Sequence, residues 1–165
     1  MDGQAILARL RERAGDGVLE THDFRGDHTA VVTRETALDV LTFCRDDAAL
    51  EFDLLVDITA VDHLKFPGRE DGPRFEVVYH LYSTEHNHRL RLKIRVEEDD
   101  AWVPTASGLW PIANWLEREV WDMFGVRFDG HPDLRRLLLY EEFIGHPLRK
   151  DYPIERRQPL IGPKV

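Results

Sequence analysis

The sequence predicts an α+β domain in two layers, helices packed on a mainly antiparallel sheet, followed by an extended proline-rich C-terminal arm. Three observations carry this. Residues 89–96 alternate strictly, with Leu90, Leu92, Ile94 and Val96 on one face and Arg89, Arg91, Lys93 and Arg95 on the other. Three other stretches repeat apolar residues at helical spacing instead. Five of the nine prolines fall between Pro132 and Pro163, with glycines at 130, 145 and 162, a density that resists helix and central strand alike. The body is therefore read as 1–128 and the arm as 129–165, parts of one structural domain, with the arm expected to bind a partner.

Taken in order, residues 3–14 form a helix with Ile6, Leu7 and Leu10 on one side, closed by Gly15 and Gly17. Two short strands, 18–22 and 28–33, flank Arg25-Gly26-Asp27. Thr33 caps a second helix that packs Ala37, Leu38, Leu41 and Phe43 and ends near Asp46. Residues 52–61 form a strand with Leu54, Val56, Ile58 and Ala60 on one face. Residues 75–82 alternate Phe75, Val77, Tyr79 and Leu81 against Glu76, Val78, His80 and Tyr82, and join 89–96 as an antiparallel hairpin. The loop 65–73, with two prolines and two glycines, is expected to be exposed. A last helix covers 112–124 and ends at Gly125 in a left-handed cap. Beyond it, 135–143 admits a short helical or strand piece. Order in the final ten residues is left open, since an extended arm needs a surface to lie on.

Composition limits function. At 165 residues, with 32% charged and 42% hydrophobic, the chain has the length and balance of one globular domain. No apolar run approaches the ~18 residues of a membrane span. The start, MDGQAILARLRERAG, lacks the hydrophobic segment of a signal peptide, so a cytoplasmic location is expected. Cys44 is alone, which rules out a disulfide framework and leaves too few ligands for an iron–sulfur cluster held by this chain. Net charge is −9, yet the segment from Asp133 onward holds seven Lys and Arg against five Asp and Glu, leaving −11 on the body. So acidic a body disfavours nucleic acid.

The stretch 117–136, EREVWDMFGVRFDGHPDLRR, organises the rest. On a helical wheel Ile112, Leu116, Val120 and Met123 cluster, with Trp115 at the edge and Glu119 inside the apolar arc. A carboxylate there needs a fixed partner, and Arg135 or Arg136 is the expected one. Glu119→Gln is then expected to weaken folding or assembly. Trp121 points the opposite way, beside Glu117, and requires cover from a partner or from the chain's own tail. Arg118 and Asp122 are four apart and able to pair. His131-Pro132 fixes the backbone before two arginines that can reach in different directions.

Glu117, Arg118, Glu119, Asp122, Gly125, His131, Pro132, Arg135 and Arg136, spaced as they are, resemble the signature of a family of respiratory complex I subunits. This is the thirty-kilodalton subunit family, the C-type subunit of proton-pumping NADH–quinone oxidoreductase. DLLVDITAVDH, FEVVYHLYS, RLRLKIRV and LWPIANW extend the resemblance upstream. GHPLRKDYP, with Arg149, Lys150 and Asp151, extends it downstream, so that it spans 52–153. The family implies an α+β fold and a non-catalytic structural subunit of the peripheral arm, with no cofactor of its own. By the same resemblance it packs on the D-type (forty-nine-kilodalton) quinone-site protein and on neighbouring iron–sulfur subunits. FMN, the clusters and quinone lie in those partners, and electrons pass through them from NADH to quinone. The chain would sit peripherally, on the cytoplasmic side of the bacterial plasma membrane, held there only through the complex. No fused D-type domain follows GHPLRKDYP, so the quinone-site protein is expected as a separate chain. The named residues, with Trp121, are the structural and interface candidates.

Other readings compete. An equivalent subunit of a related ion-pumping hydrogenase, or of an F420- or ferredoxin-linked dehydrogenase, shares the module. A free-standing metal enzyme would use His80, His86 and His88, but no acidic residue there has ligand spacing. The basic stripe 89–95 is read as a solvated strand face balanced by Glu76. Asp57 and Asp62 are read as capping residues, and no phosphate-binding loop is visible.

Overall fold

The computed structural model describes residues 1–69 and 72–159; residues 70 and 71 of the exposed loop and the last six of the arm lie outside the described residues. Within them the order is α1 (Gly3–Ala14), β1 (Val18–Phe24), β2 (Asp27–Val32), α2 (Arg34–Asp46), β3 (Leu54–Asp62), β4 (Phe75–Ser83), β5 (His88–Val96), β6 (Trp102–Pro104), α3 (Ala113–Phe124) and β7 (Arg127–Asp129). The large sheet runs β1-β2-β5-β4-β3, antiparallel except where β2 meets β5, and all three helices pack into the core on one of its faces. The α+β expectation holds.

Local chemistry explains the element ends. Asp2 accepts the Ala5 N–H at 2.8 Å and caps α1; Thr33 accepts the Thr36 N–H at 3.4 Å and caps α2. In β5 the inward Leu90, Leu92, Ile94 and Val96 meet Phe75, Val77, Tyr79 and Leu81 of β4. Ile6 and Leu10 of α1 and Val40, Leu41 and Cys44 of α2 cover them. Removing that apolar area from water is the main stabilising term.

On β4 and β5 the outer sheet face carries a cluster of charge. Glu76 is buried there and accepts from Lys93 at 2.7 Å, Arg69 at 3.0 Å and Arg95 at 3.3 Å. Burial pushes its carboxyl up, but those cations hold it below the usual carboxylate range. The basic stripe is thus balanced by Glu76, which is a buried hub and not merely a surface counter-charge.

Two expectations need correction, and one feature was not expected. In β3 a bulge between Leu55 and Asp57 inserts one residue, so Leu55, Ile58 and Ala60 face the core while Leu54 and Val56 are exposed. Residues 135–143 form neither helix nor strand. The small parallel pair β6–β7 has no period in so few residues and was invisible in the sequence.

Gly125 closes α3 as expected, at φ +77° with its N–H donating to Trp121 O at 2.8 Å. A Cβ there would also sit 2.6 Å from the Arg149 guanidinium and the His146 ring, which are arm residues. Gly125→Ala should therefore destabilise by about 1–3 kcal/mol, because backbone strain and displacement of the arm act together. A urea midpoint unchanged from the parent would contradict this.

Candidate functional site

The site is assembled on α3, whose buried face differs from the apolar arc of the helical wheel. Ala113, Glu117, Val120 and Phe124 point inward, Asp122 and Arg118 are buried at the flank, and Ile112 and Trp115 are exposed. The helix is rotated because its polar side chains find partners distant in sequence. Glu119 is exposed, so the buried carboxylates are Glu117 and Asp122, and the expected Glu119–arginine pair does not form.

Asp122 gathers the arm. Its Oδ2 accepts the backbone N–H groups of Leu137 at 3.0 Å, Leu138 at 2.8 Å and Leu139 at 2.9 Å. Its Oδ1 accepts from Arg136 at 2.7 Å. The other Arg136 nitrogen donates to Phe143 O at 2.7 Å and Gly145 O at 3.2 Å, which bends the arm back on itself. Arg118 donates to Arg135 O at 3.2 Å and Arg136 O at 3.0 Å and lies over the Trp115 ring at 5.0 Å. Burial raises the Asp122 carboxyl, but these donors outweigh burial and hold it below its ordinary value.

Trp121 is half-buried under the chain's own arm, edge-on to His146 at 6.4 Å and beneath Arg136 at 5.7 Å. His146 donates from Nδ1 to Asp122 O at 3.0 Å, and Arg149 donates to Phe124 O at 2.5 Å. Further out, Lys150 N–H donates to Asp62 Oδ2 at 2.8 Å. Asp151 accepts from Arg74 at 2.7 Å, and the same guanidinium holds Asp62 at 2.8 Å. Asp62 is therefore one end of a clasp for the arm and more than a strand cap. Arg135 instead points outward, 2.8 Å from Asp133, beside the exposed Pro132.

Glu117 is held apart from this network. It accepts the Ala106 N–H at 2.6 Å and the Thr105 hydroxyl at 2.5 Å, while burial pushes its carboxyl up to about 7 against those bonds. His131 donates from Nε2 to Asn114 O at 3.0 Å and accepts the Asp133 N–H on Nδ1 at 3.0 Å. The histidines weighed for metal do not converge. His86 and His88 bind the carbonyls of Ala48 and Leu50, and among the described residues no group of three or more His, Cys, Asp or Glu is placed to hold an ion.

The arm is thus clamped through its backbone, with apolar side chains left outward: Leu138 is 61% exposed, Ile144 63% and Leu148 53%, while Trp115 on α3 is 56% exposed. Such a surface is suited to docking. Residues 30–158 match a family described as the respiratory-chain NADH dehydrogenase 30 kDa subunit. The chain belongs to that family. Its relatives include the C-type subunit of NADH-quinone oxidoreductase from Geobacter sulfurreducens, 46% identical over 98% of this chain and 97% of that one. The corresponding protein of Roseiflexus sp. is 48% identical over 93% of this chain and 86% of its own. A trypsin-resistant fragment (1–134) of Nqo5 has the same fold, with TM-score 0.71 and 34% identity over 81% of this chain and all of the fragment. A chain of the membrane-bound sulfane sulfur reductase, an archaeal respiratory membrane complex, matches at TM-score 0.74 and 28% identity over 93% of this chain and 86% of its own. Members of the family are subunits of complex I, as the motif resemblance implied.

Arg74 and Thr105 were missed as anchoring residues because their partners lie far off in sequence, and Glu76 was read as a counter-charge to the basic stripe but not as a buried hub. Arg74 pairs with Asp62 and Asp151, Glu76 with Lys93 and Arg95, and Thr105 with Glu117. Only Arg74, set just before an apolar strand, gave a visible signal.

Asp122→Asn should cost about 3 kcal/mol or more, since it leaves Arg136 without its buried partner. Glu119→Gln should unfold with the parent. Because the folded-state value of Asp122 lies below its ordinary 3.8, its contribution is present above that pH and is lost as pH falls through the folded value. Urea titrations of both variants at neutral and acid pH check this, and equal losses for the two would refute it.

Proposed function

We propose that the chain is a non-catalytic, cofactor-free structural subunit in the peripheral arm of a proton-translocating NADH–quinone oxidoreductase. It packs on the D-type quinone-site protein and borders the iron–sulfur subunits. It thereby supports electron transfer from NADH through FMN and the clusters, all held by partners, to quinone. The observation that supports this is a set of exposed apolar side chains, Leu138, Ile144 and Leu148, on a segment whose backbone is tied down by Asp122, Arg136 and Met123 O. A segment already held in place lowers the ordering cost of association. In this reading the segment 129–165 is the partner-binding part. Glu117, Arg118, Asp122, Gly125, His131, Arg136 and Arg149 hold its shape, and Pro132 and Arg135 face the neighbour.

Location follows from assembly. Among the described residues no helix is long and apolar enough to cross a membrane. The complex would hold the chain peripherally on the cytoplasmic side of the bacterial plasma membrane. A second reading, the equivalent subunit of a related ion-pumping complex, draws support from the likeness to a chain of the sulfane sulfur reductase complex.

Affinity purification from gently solubilised membranes, with co-purifying chains identified, tests both. A D-type quinone-site homologue together with flavin- and NADH-binding subunits is expected. A hydrogenase or F420-oxidising subunit in their place selects the second reading, and a chain recovered alone rejects both. Leu138→Asp combined with Leu148→Asp should reduce recovery of the quinone-site protein at least tenfold without shifting Tm, since both side chains are largely exposed.

A further inference from the structure

Glu117 is a fully buried carboxyl in an uncharged setting. From β4 it faces Tyr79, which is also buried and whose hydroxyl has no hydrogen-bond partner among the described residues. From the loop after β6 come the Ala106 N–H and the Thr105 hydroxyl, itself 2.8 Å from Ser107 Oγ. From the loop after β7 comes His131, whose Nε2 lies 4.0 Å from Glu117 Oε2 with both side chains inaccessible to solvent. Among the described residues no lysine or arginine lies within ion-pair distance of Glu117. Its helix neighbour Arg118 is committed to Arg135 O and Arg136 O.

His131 supplies no charge in this arrangement. Its Nδ1 accepts the Asp133 N–H, so the proton sits on Nε2 and is donated to Asn114 O. A second ring proton would point at the Asp133 donor. Glu117 must therefore be stabilised by neutrality or by recruiting another donor. Tyr79 OH is one unspent donor facing it, and His131 Nε2–H is the one whose movement would carry the chain with it.

We propose that Glu117 is a proton-operated latch for the root of the C-terminal arm. With the carboxyl protonated, His131 stays on Asn114 O and the arm leaves the body along the path described. When the carboxyl O–H bond breaks and the proton passes to bulk water, Oε2 draws His131 Nε2–H away from Asn114 O. His131-Pro132 is the first rigid dipeptide of the arm, so this movement loosens the Arg135 and Arg136 carbonyls that Arg118 holds. The latch is a property of this chain and does not depend on which complex it joins.

The sign is fixed by linkage. The folded-state carboxyl titrates at about 7 against an ordinary 4.5, so the stability it confers is complete below 4.5 and declines as pH rises to about 7. In urea titrations the unfolding constant of the parent, divided by that of Glu117→Gln, should rise up to tenfold per pH unit across that window and then level off. Trypsin cleavage after Arg135 and Arg136, expressed as the same ratio, should rise several-fold between pH 6 and 8. Should Glu117→Gln not fold, the ¹⁵N resonances of His131 in the parent chain give the answer alone. They should move in one step near neutral pH while the ring keeps its Nε2–H tautomer. Parallel pH profiles for the two proteins, or His131 ¹⁵N resonances in the parent chain that stay fixed from pH 5 to 8, would overturn the latch.

Discussion

The interaction on which the rest depends is the buried Asp122 carboxylate closing over three successive backbone N–H groups and one guanidinium. A segment rich in proline and glycine has no ladder of its own, and its N–H groups must be satisfied by something else. Asp122 satisfies them from a rigid helix. Arg118 and Arg136 perform the converse task by donating to carbonyls of the same segment. The arm is therefore ordered by side chains of the body and of its own first turn, without secondary structure. The clasp formed by Arg74 between Asp62 and Asp151 repeats the device farther along. Charges so deeply placed are a weak source of net stability, but they leave the arm few alternative paths.

The two faces of the sheet illustrate different solutions to burial. The helix-covered face is filled with aliphatic and aromatic side chains, which pack without orientation requirements. The opposite face closes over Glu76 with Lys93, Arg95 and Arg69, so long aliphatic stems cover the sheet while their heads pair. β5 serves both faces through simple alternation.

Where the physical signal was local, the sequence was legible. The helix Gly3–Ala14, the Thr33 cap, the alternation of β4 and β5 and the glycine stop at 125 all rest on neighbours within a turn or a pleat. The site was half legible. Its residue types and spacing named Arg118, Asp122, His131 and Arg136, but the apolar moment chose the wrong carboxylate, Glu119 over Glu117. A wheel weighs carbon alone, whereas α3 is oriented by hydrogen bonds to Thr105, Ala106 and residues 135–139. The β3 bulge was likewise beyond a period-two reading, which assumes an unbroken pleat and so put Val56 inside.

The one parallel pairing in the large sheet has a consequence for the order of events as the chain leaves the ribosome. The β1–β2 hairpin emerges early, yet its inner edge is completed only by β5, with Thr29 opposite Arg91 some 62 residues later. Until β5 has been made, β2 offers an open hydrogen-bonding edge and an apolar underside of Ala30 and Val32. The β3–β4–β5 meander joins strands adjacent in sequence, with a four-residue turn between β4 and β5, and is the natural platform for the hairpin to join. The β1–β2 hairpin thus waits for β5 although it is synthesised well before it, and in the folded chain α1 covers part of that apolar underside.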